Sequence, residues 1–232
     1  MHIPDAVRLL ERDLRDIFGT RLQSLVAYRQ ADGRDESSTL VVVDDLTADD
    51  LRACADRVAA WHDAGLTTPL LLAAREFDRS LDAFPIEFGA ILADHVVAFG
   101  SSPFDGLAVD PSHLRRACEI QARSHLLHLR EGYVETRGRG DALADLLLRS
   151  AAPFTALITS VARLQRAADR PDASAAAIAI ERTLGLPGGT CTQIMKLSTG
   201  GTLPSEAARR MFPGYLDAVE RLTHYIDRWG DQ

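Results

Sequence analysis

The first half of the chain alternates between two hydrophobic periodicities. Apolar residues recur at helical spacing over residues 4–18, and again over about 17 residues after the capping residue Thr47. Between and after these helices, runs rich in β-branched residues predict strands. The predicted strands are residues 22–29, 39–45, 69–73, 85–91 and 95–100. Residues 76–84 are predicted as helical turns, so residues 1–108 are expected to form a mixed β-sheet with flanking helices.

In the second half of the chain, apolar residues recur only at helical spacing, and no run predicts a strand. Its predicted helices are residues 111–134, 141–168, 173–184 and 189–197, followed by one near the C-terminus. Pro153 is expected to kink the second of these, because its ring blocks a backbone hydrogen bond, and Pro213 is expected to separate the last helix from a short one before it. The predicted fold class is therefore α+β, with residues 109–232 forming a helical bundle domain. No low-complexity linker joins the two domains, so we expect them to pack together.

Composition and charge limit the classes of function that the chain can have. The chain has 46% apolar and 25% charged residues with a net charge of −7, as expected of a globular protein. Such an acidic chain argues against an extended nucleic-acid surface, which needs clustered basic residues. The three cysteines lie far apart, as expected in a reducing compartment. No apolar run reaches 18 residues and no signal segment opens the chain, so we expect a cytoplasmic protein without membrane association.

The strand pair at residues 22–29 and 39–45 supports a family resemblance. Strand, loop, strand, long helix and strand follow in the order that is found in the polymerase-β-like nucleotidyltransferases. The segments 84–88, 99–104 and 114–130 extend the similarity over nearly the whole chain. The sequence most resembles a bacterial group of nucleotidyltransferase-like proteins with a C-terminal helical bundle.

That resemblance implies a particular chemistry. In active members of the family, three carboxylates hold two divalent metal ions, which clamp a nucleoside triphosphate and activate the attacking hydroxyl. Two of the acids belong to an Asp-x-Asp motif, where the strand period of two directs both to one face. A Gly-Ser turn on the preceding strand brings backbone N–H groups close to the phosphates. The resemblance therefore implies Mg²⁺ as cofactor and a nucleotide or other small molecule as ligand.

This sequence departs from the family pattern at the first two motifs. Tyr28-Arg29 occupies the place of the Gly-Ser turn. The Asp-x-Asp position falls on Glu36-x-Ser38 or on Ser37-x-Thr39, and the sequence leaves both registers open. One carboxylate at most remains in either register, so the resemblance implies a degenerate active site.

Glu87, on the predicted strand 85–91, corresponds to the third acid of the family. The alternative is an acid that faces solvent or pairs with an arginine. The resemblance assigns catalysis and metal binding to Glu36 and Glu87, and contacts with the nucleotide to Tyr28, Arg29 and Ser38.

Other chemistry-bearing patterns have simpler explanations. Asp44 and Asp45 are adjacent on a strand and point to opposite faces, so they are expected to end the strand rather than chelate a metal ion. Arg123 and His128 have the spacing of HEPN-type ribonucleases, but five residues place them about 140° apart on a helix. His125 and His128 could share a metal ion, but the sequence favours a hydrogen-bonded core histidine at position 125.

Three functions follow from these observations. The preferred one is a catalytically degenerate protein that binds a nucleotide or another ligand or partner in the cleft between the domains. The first alternative is an active transferase that moves a nucleoside monophosphate to a small molecule or protein. The second is an interaction protein that forms a homodimer through its helical domain. Aromatic residues that could supply that interface are Tyr133, Phe154, Tyr215 and Trp229.

Overall fold

The computed structural model describes residues 5–28, 38–165 and 173–230. The chain forms two compact units that divide between Asp110 and Pro111. We call the described residues up to Asp110 the sheet unit and those from Pro111 onward the helical unit.

The elements of the sheet unit alternate along the chain. They are α1 (Asp5–Phe18), a 3₁₀ turn (Gly19–Arg21), β1 (Leu22–Tyr28), β2 (Ser38–Val43), α2 (Ala48–Ala55), α3 (Val58–Asp63), β3 (Leu70–Ala73), α4 (Ala74–Ala83), α5 (Pro85–Ala93) and β4 (His95–Gly100). The helical unit contains α6 (Pro111–Glu135), α7 (Gly140–Leu164), α8 (Ala173–Leu184), α9 (Thr190–Ser198), α10 (Ser205–Asp227) and a final 3₁₀ turn (Arg228–Gly230).

The four strands form one mixed sheet in the order β3-β2-β1-β4. β1 pairs antiparallel with both β2 and β4, and β2 pairs parallel with β3. All six residues of β2 are buried, which explains why this strand is a continuous Val- and Leu-rich run instead of an alternating one.

Each face of the sheet is covered by its own helices. Leu25 and Val41 pack with Leu10 and Leu14 of α1 and with Trp61 of α3. The opposite face is covered by α4 and α5. Its core consists of Val26, Leu40, Val42, Phe77, Leu81, Phe88, Ile91 and Phe104. Consecutive residues of β1 and β2 therefore enter different cores, as the strand period of two requires.

α7 is the central helix of the helical unit. It packs against α6, α8, α9 and α10, and Leu147, Phe154 and Ile158 are fully buried along it. Within the described part of the chain, α7 is also the one helix long and apolar enough to cross a membrane by length and composition, and 50% of its most apolar window is buried. Packing against four helices accounts for this apolar composition.

Three predictions about secondary structure are wrong. Residues 85–91 belong to helix α5, not to a strand. A short apolar run fits either structure, and Pro85 at the first helical position favours the helix. The helix capped by Thr47 is interrupted at Asp56 and Arg57, which separate α2 from α3. Pro213 lies inside α10, which continues through it because both sides of the proline are anchored by buried residues, among them Phe212 and Tyr215.

Candidate functional site

The predicted nucleotide-contacting residues Tyr28 and Ser38 lie side by side at one end of the sheet. They are cross-strand partners, Tyr28 as the last residue of β1 and Ser38 as the first of β2. On its other side, Tyr28 is the partner of His95, the first residue of β4. Ser38, Tyr28 and His95 thus form a row across three strands, which we call the polar row. Side chains of directly opposed residues lie on the same face, so the row presents a hydroxyl, a phenol and an imidazole together.

The hydroxyl of Ser38 is already engaged. The side chain is 2% exposed, and Thr67 Oγ1 donates a hydrogen bond to Ser38 Oγ over 3.2 Å. Thr39, the next residue, points to the opposite face, where its Oγ1 is buried without a hydrogen-bond partner in the described residues. Of the two residues that end the alternative registers, Ser38 lies on the face of the polar row and Thr39 on the opposite face.

His95 is a functional candidate that the sequence reasoning missed. Its Nδ1 lies 3.0 Å from the carbonyl oxygen of Ile91. Because a carbonyl only accepts, Nδ1 carries a proton, and in this tautomer Nε2 is an acceptor. The ring packs against Phe104, with 4.9 Å between centroids. The predicted strand 95–100 contained this residue, but only the pairing of β4 with β1 places it beside Tyr28.

The other three predicted site residues are Arg29, Glu36 and Glu87. Arg29 and Glu36 lie outside the described residues. Glu87 is exposed in the first turn of α5, where an acid is stabilised by the positive end of the helix dipole. Its predicted position on a strand is wrong, so the strand alternation argument does not apply to it.

The residues present do not fit a two-metal site. The described parts of the four strands contain no Asp or Glu. Across the described residues, no group of three or more His, Cys, Asp and Glu side chains converges where it could hold a metal ion. Mg²⁺ prefers carboxylate oxygens in octahedral geometry, and the polar row offers a hydroxyl, a phenol and an imidazole instead.

The buried acids of the sheet unit, Asp13 and Asp50, form hydrogen bonds with other side chains of the unit. Asp13 accepts hydrogen bonds from Arg57 Nη1 at 2.6 Å and from Trp61 Nε1 at 2.8 Å. Asp50 accepts two from the guanidinium of Arg21, at 2.9 and 2.7 Å, and caps α2 with Thr47. Hydrogen bonding to Arg21 lowers the pKa of Asp50 far below its ordinary value. These carboxylates hold α1, α2 and α3 in place.

Two other sequence interpretations are confirmed. Asp44 follows the last residue of β2, and its N–H donates to the carbonyl of Arg21, so it ends the strand. His125 is 8% exposed, and its Nε2 lies 2.7 Å from the hydroxyl of Tyr215, as expected of a hydrogen-bonded core histidine.

Comparison with known proteins identifies the fold. No protein-family model matches the chain, and no curated protein matches it. Among solved structures, it is similar to a spectinomycin adenyltransferase from Enterococcus faecialis determined with ATP and spectinomycin. The similarity covers 96% of this chain and 98% of that chain, with a TM-score of 0.59 and 10% sequence identity. The fold is therefore nucleotidyltransferase-like, which confirms the predicted α+β class. The bacterial group that the sequence resembles stays a prediction.

Proposed function

We propose that this protein uses a nucleotidyltransferase-like fold to bind a nucleotide or similar small ligand at the polar row, without two-metal catalysis. The observation that carries the proposal is the exchange of side chains at the sheet end. In one of the two registers the family has a carboxylate at the position of Ser38, and it has the Gly-Ser turn at the position of Tyr28-Arg29. This chain instead has Ser38 beside Tyr28, and His95 on the other side of Tyr28. These groups donate and accept hydrogen bonds, and two of them have flat rings.

The ligand class follows from the same groups. A planar phenol and imidazole suit stacking against a nucleobase. Nε2 of His95, which has no hydrogen-bond partner among the described residues, can accept a hydrogen bond from a base or sugar. Arg29 directly follows Tyr28 in the sequence and can bind a phosphate in a bidentate manner without a metal ion. The similar adenyltransferase structure was determined with ATP, which makes nucleoside triphosphates the first ligands to test.

The test is a thermal-shift titration with each nucleoside triphosphate, with and without Mg²⁺ or Mn²⁺. A ligand at 100 times its Kd stabilises the folded state by about 2.7 kcal/mol. At about 2–4 °C per kcal/mol, this corresponds to a rise of several degrees in Tm. We expect a rise that does not depend on the metal ion. The absence of a shift with every nucleotide would contradict the proposal.

A matched pair of variants locates the site. Arg29→Gln removes the proposed phosphate contact and is expected to lower affinity for the triphosphate by about tenfold or more, because charged hydrogen bonds contribute about 1.5–3 kcal/mol. Arg52→Gln is the control, because Arg52 is 74% exposed and pairs with Asp49 on the surface of α2. Equal affinities of the two variants would place the nucleotide elsewhere.

The first alternative is an active transferase that moves a nucleoside monophosphate from a nucleoside triphosphate to a small molecule or protein. It rests on the similarity to an adenyltransferase, and it requires Glu36 and Glu87 as Mg²⁺ ligands. A Tm rise that requires the metal ion, together with pyrophosphate release that Glu36→Gln and Glu87→Gln both abolish, would favour this alternative over ligand binding alone.

The second alternative, a homodimer, is favoured by one surface of the helical unit. Ile120, Leu127 and Val134 on α6 are 61%, 64% and 72% exposed and recur every seven residues, the spacing of a helix-pairing seam. Of the aromatic residues first considered for an interface, Phe154 and Tyr215 are fully buried and unavailable. Light scattering at micromolar concentration tests the dimer, and Leu127→Glu should dissociate it. A wild-type monomer would exclude this alternative.

A further inference from the structure

A cavity of about 240 Å³ opens between α6 and α7 of the helical unit. Its walls are partly apolar and partly polar, formed among others by Gln121, Ser124, His125, Leu129, Leu146 and Pro153. Among the residues that the structure describes, no carboxylate lines it. All the lining residues belong to the helical unit, so the cavity is separate from the polar row. We call it the α6–α7 cavity.

His125 brings an unused hydrogen-bond acceptor to this cavity. The Tyr215 hydroxyl donates to the carbonyl oxygen of Ser150 over 3.1 Å, which uses its single proton. His125 Nε2, 2.7 Å from the same hydroxyl, must therefore be the donor in that contact. Burial lowers the pKa of His125 to about 4, so the ring is neutral at pH 7. Its Nδ1 is then an acceptor, and it has no hydrogen-bond partner in the described residues.

α7 brings a second acceptor to the same place. In a regular helix, the carbonyl of Arg149 would accept from the N–H four residues later, but that residue is Pro153, which has none. Arg149 and Pro153 both line the cavity. The lining thus includes two hydrogen-bond acceptors, His125 Nδ1 and the carbonyl of Arg149, and the second of them has no N–H donor from Pro153.

We propose that the α6–α7 cavity binds a small neutral molecule that has an apolar body and a hydrogen-bond donor, either a hydroxyl or an amide N–H. The two acceptors select a ligand that donates, because each of them can form a hydrogen bond with a donor and not with another acceptor. Leu129, Leu146 and Pro153 provide the apolar contact. A cavity of about 150 Å³ already holds a benzene-sized molecule, so the volume suits a ligand somewhat larger than one ring.

Three probes that share one ring test this selectivity in the 232-residue chain. They are benzyl alcohol, which donates, toluene, which cannot, and benzoate, which is an anion that accepts. Binding is followed by NMR of the imidazole nitrogens of ¹⁵N-labelled histidine. We expect benzyl alcohol to shift the Nδ1 signal of His125 saturably, with a Kd on the order of 1 mM. Toluene should bind at least about tenfold more weakly, because it leaves the acceptors unpaired.

Each other result overturns the proposal. Equal binding of toluene and benzyl alcohol means that the cavity recognises only apolar bulk. Tightest binding of benzoate means that the exposed Arg149 guanidinium controls an anion site. No saturable shift with any probe up to about 10 mM leaves ordered water as the only occupant.

Two leucine variants locate the binding. Leu146→Trp fills the cavity and is expected to abolish the Nδ1 shift. Leu127→Trp makes the same change on the exposed face of α6, outside the cavity lining, and should leave the shift intact. Circular dichroism checks that both variants fold. If Leu146→Trp does not fold, the proposal is decided by the binding of the three probes to the wild type. Binding that survives in folded Leu146→Trp contradicts the location.

Discussion

The sheet unit and the helical unit satisfy their buried polar side chains in different ways. In the sheet unit, the buried carboxylates Asp13 and Asp50 are each held by an arginine from another element. In the helical unit, Glu181 is 5% exposed and accepts from the backbone N–H groups of Gly189 and Thr192, at 2.9 and 3.0 Å. His125 is bonded to a neutral hydroxyl.

This difference has a physical consequence. An acid paired with an arginine holds two elements together through charge, and the loss of either partner leaves an unpaired ion. A carboxylate at a helix N-terminus is stabilised by N–H groups and the helix dipole, which no single substitution removes. A buried neutral histidine is stable only while it stays neutral. The two units should therefore differ in their response to mutation and to pH.

The largest expected effect on the free energy of unfolding comes from the close approach of the β4 backbone to the β1 backbone at Gly100 in the sheet unit. Gly100 has a φ of +76°, and a Cβ atom there would lie 1.9 Å from the carbonyl oxygen of Gln23. Backbone cannot move away as a side chain can, so Gly100→Ala should destabilise the protein by more than about 3 kcal/mol. In α6, a Cβ at Gly132 would meet only the end of the Leu146 side chain, at 2.6 Å. Gly132→Ala should therefore stay within about 1 kcal/mol of the wild type, because the helix also gains alanine propensity.

Urea unfolding at pH 7 measures both glycine variants. Gly106→Ala is the control for φ alone, because Gly106 also has a φ of +76° but no atom within 4 Å of its Cβ position. It should cost about 1–2 kcal/mol. A Gly100→Ala variant no less stable than Gly106→Ala would show that β4 can shift away from β1.

The next effect tests the paired acids of the sheet unit. Asp13→Ala leaves the buried N–H of Trp61 and the guanidinium of Arg57 without their acceptor, and should destabilise the protein by about 2–3 kcal/mol. Asp16→Ala removes an exposed acid from the same helix and should change stability by less than about 0.5 kcal/mol. Chemical denaturation compares the two. Similar losses in both would mean that Asp13 contributes no more than general surface charge.

The third effect tests the neutral histidine of the helical unit. The folded-state pKa of His125 is lowered from 6.5 to about 4 by burial, so the unfolded chain binds more protons between these values. Stability is therefore lost as pH falls, by about 2 kcal/mol between pH 7 and pH 5. His125→Gln should remove this part of the pH dependence, and His128→Gln, on the exposed side of α6, should retain it. An unchanged pH dependence in His125→Gln would contradict the assignment.

The smallest effect concerns the capping acid of the helical unit. Glu181→Gln keeps one oxygen that can accept from the N-terminus of α9, so it should cost only about 1 kcal/mol. Glu135→Gln, at an exposed position, is the control with no expected change. A loss for Glu181→Gln as large as that for Asp13→Ala would remove the contrast between the two units.

The sequence predicted the parts of the fold that depend on local periodicity. β1, β2 and β4 were found because β-branched runs have a strong strand preference, and α1 and α6 because their apolar faces are regular. The run from Pro85 to Ile91 was misassigned because seven mostly apolar residues fit either structure.

The candidate site was less accessible to sequence reasoning. Tyr28 and Ser38 could be selected from the family resemblance, and they are indeed neighbours. His95 could not, because its pairing with Tyr28 joins residues 67 positions apart and depends on which strand occupies the far edge of β1. The continuation of α10 through Pro213 could not be predicted either, because it also depends on long-range packing. Buried contacts on both sides of Pro213 outweigh the helix-breaking tendency of one residue.

The pairing of β1 with β4 also determines when the sheet can be completed during synthesis. Leu25 contacts Phe99 across the sheet, so β1 must wait for more than 60 further residues before its second edge is covered. Long-range closure of this kind is slow, whereas the local contacts of helix pairs form early. A nascent chain that ends at Ala93 holds β1 with one unpaired edge, which is a template for association with other chains. The emergence of β4 removes that edge, so aggregation during translation should be greatest for fragments that end just before His95.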